Sequence, residues 1–213
     1  MELHTLPFVV VDVETTGGQP GTGDRVTEVA AVQVEQGRIE LLYHSLVNPE
    51  RPIPPYVARL TGISDAMVRE APTFAEIAGE LAAHLAGRIF VAHNARFDLG
   101  FLGAEFARVA PTPLDELLGG SLCTVRLSRR LLGHLPRRNL DAVCDHYGVR
   151  IADRHRAAGD AEATAHVLVH LMEDLSRHGI HTWDELDRWL SRGTSRSKRA
   201  RAIPVASDGA EGA

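Results

Sequence analysis

Apolar positions alternate, or run unbroken, through the first quarter of the chain and then switch to a helical spacing. Phe8 to Val13, Val26 to Glu35 and Arg38 to Val47 are β-branched or alternating runs separated by glycine-rich stretches or by Gln36-Gly37, a pattern that predicts three consecutive strands. Strands that follow one another so closely are expected to form an antiparallel meander. Asn48 to Pro55 carries four prolines and cannot continue a sheet, so it reads as a loop leading to a short helix. From Thr73 the spacing becomes helical. Thr73-Phe74-Ala75-Glu76 has the form of a capping box, Ile77, Leu81 and Leu85 share one face, and Gly87 follows where the helix should end. Arg88 to Ala92 predicts a short buried strand, Phe97 to Val109 a helix, and Ser121 to Thr124 a last short strand. Helices are expected over Val125–Leu132, Asn139–Tyr147, Asp160–Leu175 and Trp183–Leu190. This order predicts an α/β architecture with helices packed on a mixed sheet. The expected organisation is one domain over 1–178, a short helix within 179–191, and a basic tail over 192–213 whose composition favours disorder.

Composition narrows the picture. A chain of 213 residues with 44% apolar content can bury roughly 70% of its unfolded surface, so it needs no disulfide framework. Cys123 and Cys144 are expected to be buried small hydrophobes, and a reducing, cytoplasmic setting follows. The N-terminus has no basic leader, and no run reaches the ~18 apolar residues of a membrane span. Lys198 is the only lysine. That excludes a Walker-type phosphate loop and Schiff-base chemistry within the expected domain. The net charge is −5, but the residues from Arg192 onward hold 5 of the 23 basic groups; the remainder has 18 basic and 26 acidic side chains, a net of −8. So acidic a body repels nucleic acid unless some carboxylates gather around bound cations.

The acids are placed as if they did. Asp12-Val13-Glu14 projects two carboxylates from one face of a strand whose preceding residues, Phe8 to Val11, read as buried on both sides. Such a central strand ends over a crevice. Asp98 and Asp160 lie near the starts of helices, where either alone could be a helix-terminal acid. Four carboxylates brought together, with few thiolates or imidazoles, suit hard divalent ions such as Mg²⁺ or Mn²⁺ better than zinc. His155 stands on a loop five residues before Asp160. His166 and His170 are four apart, but Val167 stands where a zinc-protease helix needs glutamate, so they read as a helix face.

Asp12-Val13-Glu14-Thr15-Thr16-Gly17, His93-Asn94-Ala95-Arg96-Phe97-Asp98, and His155 with Asp160 resemble, in order and spacing, the successive motifs of the DEDDh 3'-to-5' exonucleases. The similarity covers about Pro7 to Leu175 and is closest to the proofreading epsilon subunits of bacterial DNA polymerase III. It implies a ribonuclease H-like fold, with a five-stranded mixed sheet of three antiparallel then two parallel strands. It also implies that Asp12, Glu14, Asp98 and Asp160 hold two Mg²⁺ or Mn²⁺ ions, with His155 as general base. Thr15 and Thr16 would hold the terminal 3'-hydroxyl, Leu60, Ile63 and Phe97 would wedge against the last bases, and His93 and Asn94 would order the loop or touch substrate. The implied activity is release of nucleoside 5'-monophosphates from a 3' end, of single-stranded DNA in proofreading or repair. Its expected partners are nucleic acid with a free 3' end and a DNA polymerase subunit, with no membrane. Two other readings remain at this stage: an RNA-trimming exoribonuclease or oligoribonuclease, and a catalytically silent, polymerase-associated adaptor.

Overall fold

Strand β1 (Phe8–Thr15) is the middle of a five-stranded sheet, which is why Val9, Val10 and Val11 are all buried although they point to opposite faces. The structure is a computed structural model and describes residues 1–109 and 112–199, without the side chains of 192–199. On one side of β1 lies β2 (Val26–Glu35), antiparallel, and beyond it β3 (Arg38–Leu46), also antiparallel. The turn between them is Gln36-Gly37, both with positive φ (51° and 77°), the backbone a two-residue hairpin requires. On the other side β4 (Ile89–Ala92) runs parallel to β1, and β5 (Gly120–Cys123) parallel to β4. The strand order is β3-β2-β1-β4-β5, the mixed sheet implied by the resemblance.

Helices cover both faces. After β3 come α1 (Pro55–Thr61) and α2 (Asp65–Val68), which close a small apolar cluster of Ile53, Val57, Ile63 and Val68. Helix α3 (Phe74–Leu85) opens on the expected capping box, in which the Glu76 carboxylate accepts the Thr73 N–H at 2.8 Å. It packs with α4 (Ala95–Val109) and the four-residue α5 (Leu114–Leu117) over the face formed by Val9, Val11, Val13 and Phe90. The opposite face, with Phe8, Val10, Ala30, Val32 and Val91, is covered by α6 (Thr124–Leu131), α7 (Leu140–Tyr147), α8 (Ala157–Arg177) and the start of α9 (Trp183–Arg199).

Several boundaries differ from expectation. β1 runs two residues past Val13 because Glu14 and Thr15 keep pairing with Glu28 and Val26 of β2. α4 and α8 start at Ala95 and Ala157, so Asp98 and Asp160 lie inside their first turns. α9, expected to end by 191, runs to Arg199; the rest of the expected tail, 200–213, lies outside the described residues. Cys144 is buried as expected, but Cys123 is only half-buried, at the end of the edge strand β5. No helix among the described residues is long and apolar enough to cross a membrane.

Candidate active site

Because side chains alternate along a strand, Asp12 and Glu14 fall on the same side of β1 as Phe8 and Val10, toward α8. β4 ends alongside, and the chain turns through Asn94, at φ 87°, into α4. The first turn of α4 carries Asp98, which is buried and whose Oδ1 accepts the backbone N–H of Val13 at 3.2 Å. One acid is thus tied to the backbone midway between the other two. Asp160, also buried, enters from the first turn of α8. Its Oδ2 accepts hydrogen bonds from the Arg154 guanidinium and, at 3.3 Å, from the His155 N–H, whereas its Oδ1 is buried with no donor. One ligand atom from each of Glu14, His155 and Asp160 lies within 4.8 Å of the others.

The electrostatics of this cluster are those of charge crowded out of water. Burial, then the charges of Asp98, Glu14 and Asp160, push Asp12 well above the usual carboxylate range, with Arg154 offsetting part of the rise. Burial and the charges of Asp160 and Glu28 raise Glu14 to about 8, and burial raises Asp98 to about 7 against the hydrogen bond from Val13. Burial raises Asp160 as well, opposed by Arg154 and His155. Carboxylates that repel one another, one of them with a buried oxygen lacking a donor, are a fit for cations; oxygen donors and one imidazole suit a hard divalent ion.

This has a consequence for the metal-free protein. All four acids titrate higher folded than unfolded, so between pH ~4 and ~8 the folded state binds more protons, and stability is lost as pH rises through that window. The melting temperature of EDTA-treated protein is therefore expected to fall from pH 6 to pH 8.5, and Mn²⁺ added at pH 8.5 is expected to restore it. A melting temperature that is flat or rising with pH would contradict the crowding.

His155 sits at φ 63°, a left-handed backbone that a non-glycine residue keeps only under restraint. Its neighbours supply that restraint. Arg154 forks onto Asp141 (Nε to Oδ1, 2.8 Å) as well as reaching Asp160, and Arg156 forks onto Glu28 (Nη2 to Oε1, 2.6 Å; Nε to Oε2, 3.0 Å). Gly159 lies so close to the backbone of Asp153 that a Cβ would stand 2.5 Å from the Asp153 carbonyl oxygen, so the loop rests directly on the first turn of α8. Neither Glu28 nor Asp141 is anticipated from the sequence as part of the site. One signal is available: Glu28 is the one charged residue in the buried stretch from Val26 to Val32.

The expected substrate residues divide. Phe97 is half-buried, 4.8 Å from Phe101 between ring centroids, and with Asn94, Arg96, Gly100 and the Gly18–Gly21 segment it lines a groove of about 580 Å³. Leu60 stands out into solvent on α1, 56% exposed. Ile63 does not: it has no exposed surface and packs against Ile53, Val57 and Val68, so as a wedge residue it is corrected to core. The Thr15 and Thr16 hydroxyls are committed within their own loop. Thr15 donates to the Gly17 carbonyl at 2.6 Å, and Thr16 accepts the Arg25 N–H at 3.0 Å while donating to Asp24. His93 is committed too. Its Nε2–H donates to the Arg138 carbonyl at 3.0 Å and its Nδ1 accepts from the Thr124 hydroxyl at 2.9 Å, while burial lowers its pKa to about 4. It is a neutral brace between β4, α6 and the 132–138 segment.

Proteins similar to this chain are known both in sequence and in fold. A family model described as an exonuclease, RNase_T, matches residues 9–168. A Mycobacterium tuberculosis protein, provisionally named a bifunctional exonuclease/endonuclease, is 40% identical over 95% of this chain and 32% of its own length. The Bacillus subtilis 3'-5' exonuclease DinG is 37% identical over 85% of this chain and 19% of its own, and the PolC-type DNA polymerase III of the same organism 32% identical over 95% and 14%. The chain therefore spans a third or less of these relatives. Among solved structures, exonuclease X in complex with 5'-overhanging duplex DNA is 28% identical, with a TM-score of 0.61 over 78% of this chain and 91% of that one. Escherichia coli exonuclease I bound to a dT13 oligonucleotide shares the fold, with a TM-score of 0.70 at 19% identity, over 81% of this chain and 42% of that one.

Proposed function

The chain belongs to the RNase_T exonuclease family, and from that premise we propose that it is a metal-dependent 3'-to-5' exonuclease that releases nucleoside 5'-monophosphates, with single-stranded DNA as its main substrate. The observation that carries this reading is that ligand atoms of Glu14, His155 and Asp160 lie within 4.8 Å of one another, with Asp12 and Asp98 near enough for their charges to raise the proton affinity of the cluster. The four acids are the residues to hold two Mg²⁺ or Mn²⁺ ions. Bound there, such ions supply a water acidic enough to attack at neutral pH and neutralise charge around the scissile phosphate.

The chain's own groups do the rest. His155, on its braced loop, is the general base that takes the proton of the attacking water. Asp98, by accepting the Val13 N–H, keeps α4 and β1 in register so that the acids stay within reach of one another. The groove beside Phe97 receives the strand upstream of its terminal nucleotide. Gly18, Gly21 and Gly100 leave it open, Phe97 offers a ring face to a base, and Arg96 offers a guanidinium to phosphate. Similarity to PolC-type polymerases supports a proofreading or repair setting, with a polymerase as partner.

The deciding experiment incubates the protein with 3'-labelled and 5'-labelled single-stranded DNA and RNA, in Mg²⁺, Mn²⁺ or EDTA. Early release of 3' label as mononucleotide, only with metal and faster from DNA, is expected. Label released first from the 5' end, or nothing released from either polymer, would overturn the proposal.

A further inference from the structure

The loop that carries His155 is held by a charge the proposed chemistry does not use. Glu28 lies on β2 directly opposite Glu14 of β1, so its carboxylate starts out beside the acid cluster, on the same face of the sheet. Two like charges facing each other across a ladder are unfavourable, and Glu28 has no exposure to water. It is nevertheless fully provided with donors. Arg156 forks onto both oxygens, the His44 Nε2–H donates at 2.8 Å, and the Ala157 N–H donates at 2.9 Å. Burial alone would push its pKa up, but these donors reverse the shift and keep it lowered.

What Glu28 grips is the useful fact. Arg156 is the residue after His155, and Ala157 is the first residue of α8, the helix whose first turn presents Asp160. One buried carboxylate on the strand neighbouring Glu14 therefore fixes both the imidazole's loop and the helix end that delivers an acid. The other flank is held by Arg154, which reaches both Asp141 and Asp160, and Gly159 rests on the backbone of Asp153. A left-handed His155 needs both flanks fixed.

We propose that Glu28, acting through Arg156 and the N-terminus of α8, is the positioning residue that sets His155 and Asp160 against Glu14. This rests on the exonuclease reading of the same site. Glu28 touches neither substrate nor the reacting atoms; beyond its charge on Glu14, its effect is on geometry. A displacement near 1 Å in a reacting constellation costs about 10²-fold in rate.

The test compares wild type with Glu28→Gln, Arg156→Met and Arg156→Lys, using the p-nitrophenyl ester of thymidine 5'-monophosphate with Mn²⁺, a substrate too small to use the groove. Glu28→Gln and Arg156→Met are expected to lower kcat by about 10²-fold with KM little changed. Arg156→Lys, which keeps the charge but not the fork, is expected to fall between them and wild type. Hydrogen exchange in the metal-free proteins supplies a second readout. Residues 151–160 should exchange faster in the variants, with the amides of α3 unchanged. Should Arg156→Met fail to fold, because it strands the fully buried Glu28 carboxylate, Glu28→Gln decides, since the Arg156 side chain it leaves unpaired is 33% exposed. Folded variants with wild-type kcat, faster exchange spread equally into α3, or collapse of both variants would each overturn the proposal. A wild-type protein inactive on this ester and on polymers would instead overturn the exonuclease reading, and the exchange comparison would still judge the placement of the loop.

Discussion

Asp12→Ala is expected to slow metal-dependent nucleotide release by about 10³-fold or more, and at the same time to raise the melting temperature of the metal-free protein at pH 8. The first effect follows from the role proposed for the acids. Charge stabilisation by bound metal is worth several kcal/mol in such reactions, and each ~1.4 kcal/mol is tenfold in rate. The second follows from the crowding. Asp12 is held against burial and against the charges of Asp98, Glu14 and Asp160, so its removal relieves repulsion that only a cation would otherwise answer. Activity and apo stability should thus move in opposite directions, and Mn²⁺ should stabilise the variant less than wild type. Turnover on labelled oligonucleotide and melting curves in EDTA and in Mn²⁺ are sufficient. A variant with turnover within tenfold of wild type, or one less stable than wild type without metal, would contradict the placement of Asp12 at the heart of the cluster.

Replacing His155 is expected to cost between about 10² and 10⁴ in kcat, the usual worth of a general base. The choice of replacement matters because of the left-handed backbone. Asn tolerates that conformation better than Ala does, so His155→Asn removes the imidazole with the least disturbance of the loop. His155→Gly keeps the same φ without strain and leaves space, and added imidazole should restore part of its activity if the side chain works by accepting a proton. His155 also lies within ligand distance of Glu14 and Asp160. A Mn²⁺ titration of the metal-depleted variants separates the two roles. Unchanged affinity with lost kcat supports the base, whereas affinity lost in proportion to activity would reassign His155 as a ligand.

How much of this could be read without coordinates depended on how far apart the interacting residues lie. The sheet was legible because valines at 9 to 11 leave no polar face, and because Gln36-Gly37 can hardly be anything but a tight turn. Asp12 and Glu14 were legible as a pair from the two-residue period of a strand. Asp98 and Asp160 each look like ordinary helix-start acids; only their company with Asp12 and Glu14 suggests a cation cluster, and the resemblance adds the order and spacing. The braces of the loop were invisible for a different reason. A fork between Glu28 and Arg156 leaves no local pattern, and neither does the contact of Gly159 with the backbone of Asp153. The resemblance implies a wedge role for both Leu60 and Ile63; α1, with seven residues, carries too little periodicity to show that Leu60 turns outward, and Ile63 lies between α1 and α2, where no periodicity applies. The same brevity hid α2 and α5. For Thr15 and Thr16, the residue types suit a role in binding, but the sequence does not reveal that Gly17, Asp24 and Arg25 already engage both hydroxyls.

The start of the chain is fastened to the corner between α8 and α9. The Leu3 N–H donates to the His181 carbonyl at 2.7 Å and the Trp183 N–H to the Met1 carbonyl at 3.0 Å, before β1 has begun and after α8 has finished. Asp12 and Glu14 lie toward the far end of β1, roughly 20 Å away at the rise of a strand. The first residues and the α8–α9 corner therefore brace one end of the sheet, like a handle opposite a blade, and leave the end that carries the acids clear of that contact.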